Sequence, residues 1–165
     1  MSSDKEQSSE TQIDDDAVKR YFEGTGGSKA AAAMSMMTHE HNLPAGAVGY
    51  RLSRELATIQ PWLNEVGTSG RVLDVGCGAG AWVEIFANRF QSAVGVERSG
   101  PMVEAAQERV AYLPNADVYQ GDGREDLPDG PFDFIFLGGL MMYLKDSDVV
   151  KLLHRLKERL NSGGT

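Results

Sequence analysis

The 165-residue sequence predicts a doubly wound α/β domain preceded by a helical segment. Three observations carry that expectation. From Gly70 onward, short apolar runs alternate with helical stretches. Those runs lack the polar alternation of a half-exposed sheet and suit a parallel sheet covered on both faces. In "RVLDVGCGAGAWVEIF", Arg71 to Phe86, an apolar strand passes through a glycine-rich turn straight into an amphipathic helix.

Taken in order, residues 1–16, "MSSDKEQSSETQIDDD", hold one apolar residue after Met1 and read as a disordered acidic tail. Residues 17–69 read as an N-terminal helical lid. Its first helix, "AVKRYFEG", carries Tyr21 and Phe22, with Asp14 to Asp16 placed to cap its start and oppose its dipole. Gly24 to Gly27 then break the chain as a hinge. Ser28 caps a second helix through "KAAAAMSMMTHE", which Pro44 and Gly46 stop, and a third spans roughly Val48 to Val66, bent or interrupted at Pro61.

Residues 70–165 form the core. Strands are expected at "RVLDV", "SAVGVE", "ADVYQ" and "FDFIFLG", and helices at "GAWVEIFANRF", "GPMVEAAQERVAYL" and "DSDVVKLLHRLKERL". "NSGGT" reads as a helix C-cap leading into another strand. Only four of the expected strands are present, so the sheet reads as C-terminally incomplete. "FDFIFLG" is too apolar for an exposed edge, which implies either more of a longer protein or a covering chain, from a homodimer or a partner.

The formal charge is −8, but residues 1–16 hold six acids and one lysine, leaving −3 for the other 149 residues. A body so nearly balanced has no basic stripe, which argues against nucleic acid and against an anionic membrane surface. Cys77 is the single cysteine, and no apolar run looks like a signal peptide or a membrane span. A cytoplasmic location is the expectation.

Gly76, Gly78 and Gly80 let the turn bend tightly and let a ligand approach main-chain atoms, beneath the unpaired N–H groups of the helix that follows. By itself the turn is ambiguous. Gly76, Gly78 and Ala81 also satisfy the dinucleotide fingerprint, which keeps an NAD-linked oxidoreductase open. Asp74, two residues before the first glycine, is awkward beside a pyrophosphate and favourable beside an ammonium and a sulfonium, a charge pattern that fits S-adenosylmethionine. Glu97 ends the second strand, where a carboxylate can accept from two ribose hydroxyls, a feature NAD sites share.

The linked segments "VLDVGCGAG", "VGVERSGPMVEAA", "VYQGDGREDLP", "FDFIFLGGLMMYL" and "RLKERLNSGG" are similar, in order and spacing, to the class I (Rossmann-like) S-adenosylmethionine-dependent methyltransferase family over about Arg71 to Gly164. The resemblance implies that the turn from Gly76 through Cys77 and Gly78 to Gly80 holds the methionine portion of the cofactor, with Asp74 in the network around its ammonium. It implies further that Glu97 holds the ribose, that Arg98 and Met102 flank the adenine, and that Asp122 and the Gly123 N–H meet the adenine edge. Leu137 and the Gly138–Leu140 stretch would face the methyl group, and S-adenosylhomocysteine would be the product.

Within that family, the fourth-strand stretch lacks the Asp/Asn-Pro-Pro-aromatic pattern of enzymes acting on planar amino groups, and it lacks an aspartate suited to Mg²⁺. Many small-molecule members have a histidine where Met142 stands. No base is therefore expected from that position. A small organic methyl acceptor is the expectation because the N-terminal helices are placed to close over a pocket beside the sulfonium, with Tyr21, His39 and Tyr143 as candidates for a catalytic or acceptor-site role. His39 and His41 on one helix point to different faces, so no metal site is expected. Cys77 reads equally as a small residue in a crowded turn, and His154 as a surface histidine. The alternative is a noncatalytic methyltransferase-like subunit completed by a partner chain.

Overall fold

The computed structural model describes residues 13–25 and 46–165. The hinge at Gly24–Gly27, for the most part, and the helix with His39 and His41 lie outside the described residues, as does most of the acidic tail. Two N-terminal helices, α1 (Asp15–Thr25) and α2 (Ala47–Val66), precede β1 (Arg71–Val75), α3 (Ala81–Ala87), β2 (Ser92–Glu97), α4 (Gly100–Val110), β3 (Ala116–Gln120), β4 (Phe134–Phe136), a 3₁₀ turn (Met141–Tyr143) and α5 (Asp146–Lys157). The sheet order is β3-β2-β1-β4 with every pair parallel.

That order follows from the connections. α3 and α4 carry the chain from β1 to β2 to β3, and the chain then returns across the sheet to lay β4 on the other side of β1. The switch in direction between β1 and β4 opens a crevice at the carboxyl ends of the strands, where open parallel sheets bind ligands.

Strand alternation sorts the core into two layers. Val72 and Ala93 join α2, α3 and α4 through Leu63, Val83, Phe86 and Val103. Leu73, Val75, Val94 and Val96 point the other way, onto Phe132 and onto Leu152 and Leu156 of α5. Asp74 shares the parity of Val72 and is only 2% exposed, so a carboxyl is driven into the layer that α3 covers.

Four elements differ from their sequence-based outlines. α1 starts at Asp15, two residues before Ala17, because an Asp14 carboxylate oxygen accepts from the Asp16 and Ala17 N–H groups at 3.0 Å each and thereby caps the helix. α2 runs through Pro61 as one helix, held by Ile59 and Leu63, whose burial on either side of the proline offsets the missing hydrogen bond. β4 is confined to three residues, since the chain turns away at Gly138 and Gly139.

The fourth difference concerns the free edge of β4. Phe132 bridges Leu160 in parallel, the Asn161 N–H donates to Phe132 O, the Thr165 N–H donates to Asp133 O, and the Ile135 N–H donates to Thr165 O. The chain's own Leu160–Thr165 backbone therefore runs beside the apolar edge. Among the described residues no helix is long and apolar enough to cross a membrane.

Candidate functional site

A cleft of about 270 Å³ opens at the carboxyl ends of the strands, lined by the glycine turn, the tips of β2 and β3, the stretch after β4, and the inner faces of α1 and α2. Asp74, Gly76, Cys77, Gly78, Glu97, Arg98, Asp122, Gly123 and Tyr143 all line it. The turn is held by the Gly76 and Cys77 N–H groups, both donating to Val96 O, and Gly76, Gly78 and Gly80 have φ of 75°, 53° and 77°. Gly80 serves packing, because a Cβ there would lie 2.9 Å from the Ala106 Cβ of α4.

Glu97 ties the turn to the second strand. One of its oxygens accepts from the Gly78 N–H at 3.0 Å and the other from the Ser99 N–H at 2.8 Å. Burial raises its pKa, and these two N–H groups pull it back down. Asp74 has less support. Its Oδ2 is buried with no hydrogen-bond partner, and burial together with the nearby Glu97 charge pushes its pKa up to about 8. Two carboxyl groups held this close in a buried setting create a demand for positive charge.

The Cys77 thiol is pushed well above its ordinary value by burial and by these same acids, so it is an inert thiol. A Cβ on Gly95 would come within 2.7 Å of its Sγ, which fits the reading of Cys77 as a small residue in a crowded turn.

At the β3 tip, Asp122 is engaged within the protein. Its Oδ1 accepts from the Arg124 backbone N–H at 3.0 Å and from Nε at 2.9 Å, while its Oδ2 accepts from an Arg124 Nη at 2.6 Å. Arg124 therefore holds the Asp122 carboxyl below the usual carboxylate range. Asp15 of α1 completes the cluster, pairing with Arg98 at 3.0 Å and with Arg124 at 3.1 Å, and the Arg98 contact is the larger cause of its lowered pKa. The cluster pins α1 across the crevice, aided by the Ser99 hydroxyl donating to Phe22 O at 3.1 Å.

Several predicted residues sit elsewhere. Met102 is fully buried, packed with Ala79 and Phe22 rather than along the cleft, because it shares the inward face of α4 with Val103 and Ala106. Leu137 packs into the α5-side core, leaving the cleft wall to Gly138, Gly139 and Leu140. Tyr21 is 36% exposed and turned from the cleft, whereas its neighbour Phe22 lines it and meets the Tyr143 ring edge-on at 5.1 Å. His39 lies outside the described residues, and His154 is exposed on α5.

Sequence reasoning missed Arg124, Phe22, Arg51 and Trp82, all of which line the cleft. Trp82 is 3% exposed, stacks on Phe86 and meets the Phe136 ring at a tilt of 51°, and its indole N–H has no partner. An indole on the second residue of the helix after the glycine turn was the available signal. Partial burial raises the Tyr143 pKa, so its hydroxyl is a neutral donor near pH 7.

This fold and site define a class before any relative is considered: an open parallel sheet whose switch-point crevice offers buried carboxylates beneath a glycine turn. Residues 72–164 match the family model of the methyltransferase domain, and the chain belongs to that family, whose class I members use S-adenosylmethionine. It is 32% identical over 96 residues to a trans-aconitate 2-methyltransferase of Rhizobium rhizogenes, a match that covers 57% of this chain and 36% of that protein. It is 33% identical over 101 residues to a protein-L-isoaspartate O-methyltransferase of Dechloromonas aromatica, covering 58% and 46%. The chain thus matches less than half the length of these curated relatives. Among solved structures, phosphoethanolamine N-methyltransferase 1 of Haemonchus contortus, bound to phosphoethanolamine and S-adenosylhomocysteine, superposes with a TM-score of 0.71 at 21% identity over 91% of this chain and 30% of that one.

Proposed function

We propose that the cleft binds S-adenosylmethionine and that the protein transfers its methyl group to a small organic acceptor. The observation that carries this reading is the pair of buried carboxyl groups under the glycine turn, Asp74 with an unpartnered oxygen and Glu97 beside it. A ligand with an ammonium and a sulfonium satisfies that pair, whereas a pyrophosphate would be repelled by it.

When bound, the cofactor supplies a methyl group already activated by its sulfonium. The chain's residues bind and orient. Asp74 balances the ammonium, the backbone N–H groups of the turn meet the methionine end, Glu97 accepts from the ribose, and Asp122 with the Gly123 N–H faces the adenine. Phe22 and α1 exclude water from above. Alignment of the nucleophile and exclusion of water are the protein's main contributions to a displacement of this kind. The small-molecule reading is supported by the trans-aconitate methyltransferase relative and by α2 narrowing the crevice beside Tyr143.

Isothermal titration with S-adenosylmethionine and S-adenosylhomocysteine tests the cofactor half. Saturable binding of both, weakened by Asp74→Ala and Glu97→Ala, is expected. Binding of NAD in preference to both would overturn it.

A further inference from the structure

Two buried side-chain polar atoms among the described residues have no hydrogen-bond partner, Asp74 Oδ2 and Trp82 Nε1. They are opposite in kind, since a carboxylate oxygen accepts and an indole N–H only donates. Both residues line the cleft, at 2% and 3% exposure. Leaving one such group unsatisfied is unfavourable, and two in one cleft point to a ligand that supplies the complement of each.

Phe136 brings the two together. It is the register partner of Asp74 in the β1–β4 ladder, and strands so paired lie about 4.8 Å apart with partner side chains on one face. The Trp82 ring packs against that same phenylalanine with centroids 4.8 Å apart, and Phe86 lies 5.5 Å from it. The indole is thus held against two rings on the α3 side of the sheet, the side to which Asp74 also points. Burial among these rings fixes the direction of its N–H, which stays a neutral donor at any pH near 7.

A cation and an oxyanion set close together satisfy both groups. An α-amino acid has that form, its ammonium and carboxylate sharing one carbon. The arginines that line the cleft, Arg51, Arg98, Arg109 and Arg124, each pair with a carboxylate of the protein, from Glu55, Asp15, Glu84 and Asp122 respectively. A neutral donor also suits the position of Trp82, because a cation fixed beside Asp74 would neutralise it and repel an incoming ammonium and sulfonium.

Resting on the cofactor reading above, we propose that Trp82 determines specificity for the amino-acid end of the cofactor: its indole N–H donates to the cofactor carboxylate while Asp74 holds the ammonium on the same carbon. The pair selects adenosyl thioethers and sulfoniums that retain an intact amino acid over those that lack its carboxylate. Asp74 alone accounts for the cation and does not make that distinction.

The test is calorimetric titration with S-adenosylhomocysteine, with decarboxylated S-adenosylhomocysteine, and with 5′-methylthioadenosine, which lacks the amino acid altogether. S-Adenosylhomocysteine is expected to bind about tenfold or more tightly than its decarboxylated analogue. Trp82→Phe keeps an aromatic ring and removes the N–H, so it should lower that ratio about fivefold or more while changing the affinity for 5′-methylthioadenosine by less than about twofold. A second measurement leaves Trp82 in place. Trp62 is half exposed on α2, so Trp62→Phe makes Trp82 the sole tryptophan of the chain and its indole N–H resonance in NMR unique. S-Adenosylhomocysteine should move that proton downfield, and the decarboxylated analogue should not. If Trp82→Phe does not fold, the resonance decides alone. No preference for the carboxylate-bearing ligand, a preference that survives Trp82→Phe, or an indole proton that stays put or moves equally with both ligands would each overturn the inference while leaving the cofactor reading intact. Failure of all three ligands to bind would overturn the cofactor reading and the inference with it.

Discussion

Asp74→Asn isolates the most unusual group in the molecule. Asp74 titrates near 8 in the folded chain against 3.8 for an ordinary aspartate, so once fully ionised it destabilises the fold by about 5–6 kcal/mol. Because the native pKa is raised, the native state binds more protons than the unfolded state between about pH 4 and pH 8, and stability falls as pH rises through that window. At pH 6 the penalty is about 3 kcal/mol, and at pH 9 it reaches its full value, a change of about 2–3 kcal/mol. Asparagine keeps the shape and removes the titration. It also brings a buried amide N–H, so the readout is the pH dependence of the difference and not its absolute size. Urea unfolding followed by fluorescence at pH 6 and pH 9 should show Asp74→Asn gaining about 2–3 kcal/mol on the parent protein between the two. The raised pKa of Glu97 acts in the same direction but is common to both proteins. Stability differences that are equal at the two pH values would refute the claim that Asp74 is buried and unsupported.

Further outcomes follow from the same geometry. Binding of S-adenosylmethionine at pH 7 should release about one proton as Asp74 ionises against the incoming cation, measured by calorimetry in buffers of different ionisation enthalpy, and Asp74→Asn should release none. Gly80→Ala should lower stability by about 2–3 kcal/mol in urea unfolding, since its φ is +77° and the new Cβ would sit 2.9 Å from Ala106 Cβ. Asp15→Asn should accelerate proteolytic cleavage in α1 several-fold while changing the global unfolding free energy by less than about 1 kcal/mol in urea, because the lost pairs with Arg98 and Arg124 are partly exposed.

Those outcomes rest on features that differ in how far the sequence discloses them. β1, β2 and β3 coincide with the apolar runs read as strands, since each run is bounded by glycine or another polar or charged residue and no competing period overlaps it. The acids at the strand tips were equally visible, because a carboxyl that closes an apolar strand interrupts its pattern. Phe22 and Tyr21 show the limit. Adjacent aromatics on a short helix differ by one step around its axis, and only the contacts with Met102 and Tyr143 decide which ring turns inward. Arg124 was hidden for another reason. Its pairing with Asp15 spans 109 positions, and no local pattern announces a partner so distant. The shortened β4 was likewise illegible in "FDFIFLG", where uninterrupted apolarity marks burial without marking the residue at which Gly138 and Gly139 end the strand.

The topology sets the distribution of charge around the cleft. Chain reversal between β1 and β4 sets two kinds of strand tip side by side. β2 and β3 end in "VER" and "QGDGR", short acid and arginine sequences that neutralise one another and bind α1. β4 ends in "FLGGLMMY", with no charge at all, and among the described residues that line the cleft the cation on that side is Arg51 of α2. Asp74 lies on β1, at the seam. Its unpartnered oxygen therefore acts locally: it demands a positive charge at the centre of the crevice and leaves the β4 wall to be governed by donors. A substitution that placed a carboxylate on that wall, such as Met142→Glu, should change S-adenosylhomocysteine affinity by less than about twofold, as measured by titration, because the wall lies apart from Asp74 and Glu97. A loss comparable to that of Asp74→Ala would mean that the two sides of the cleft share one field.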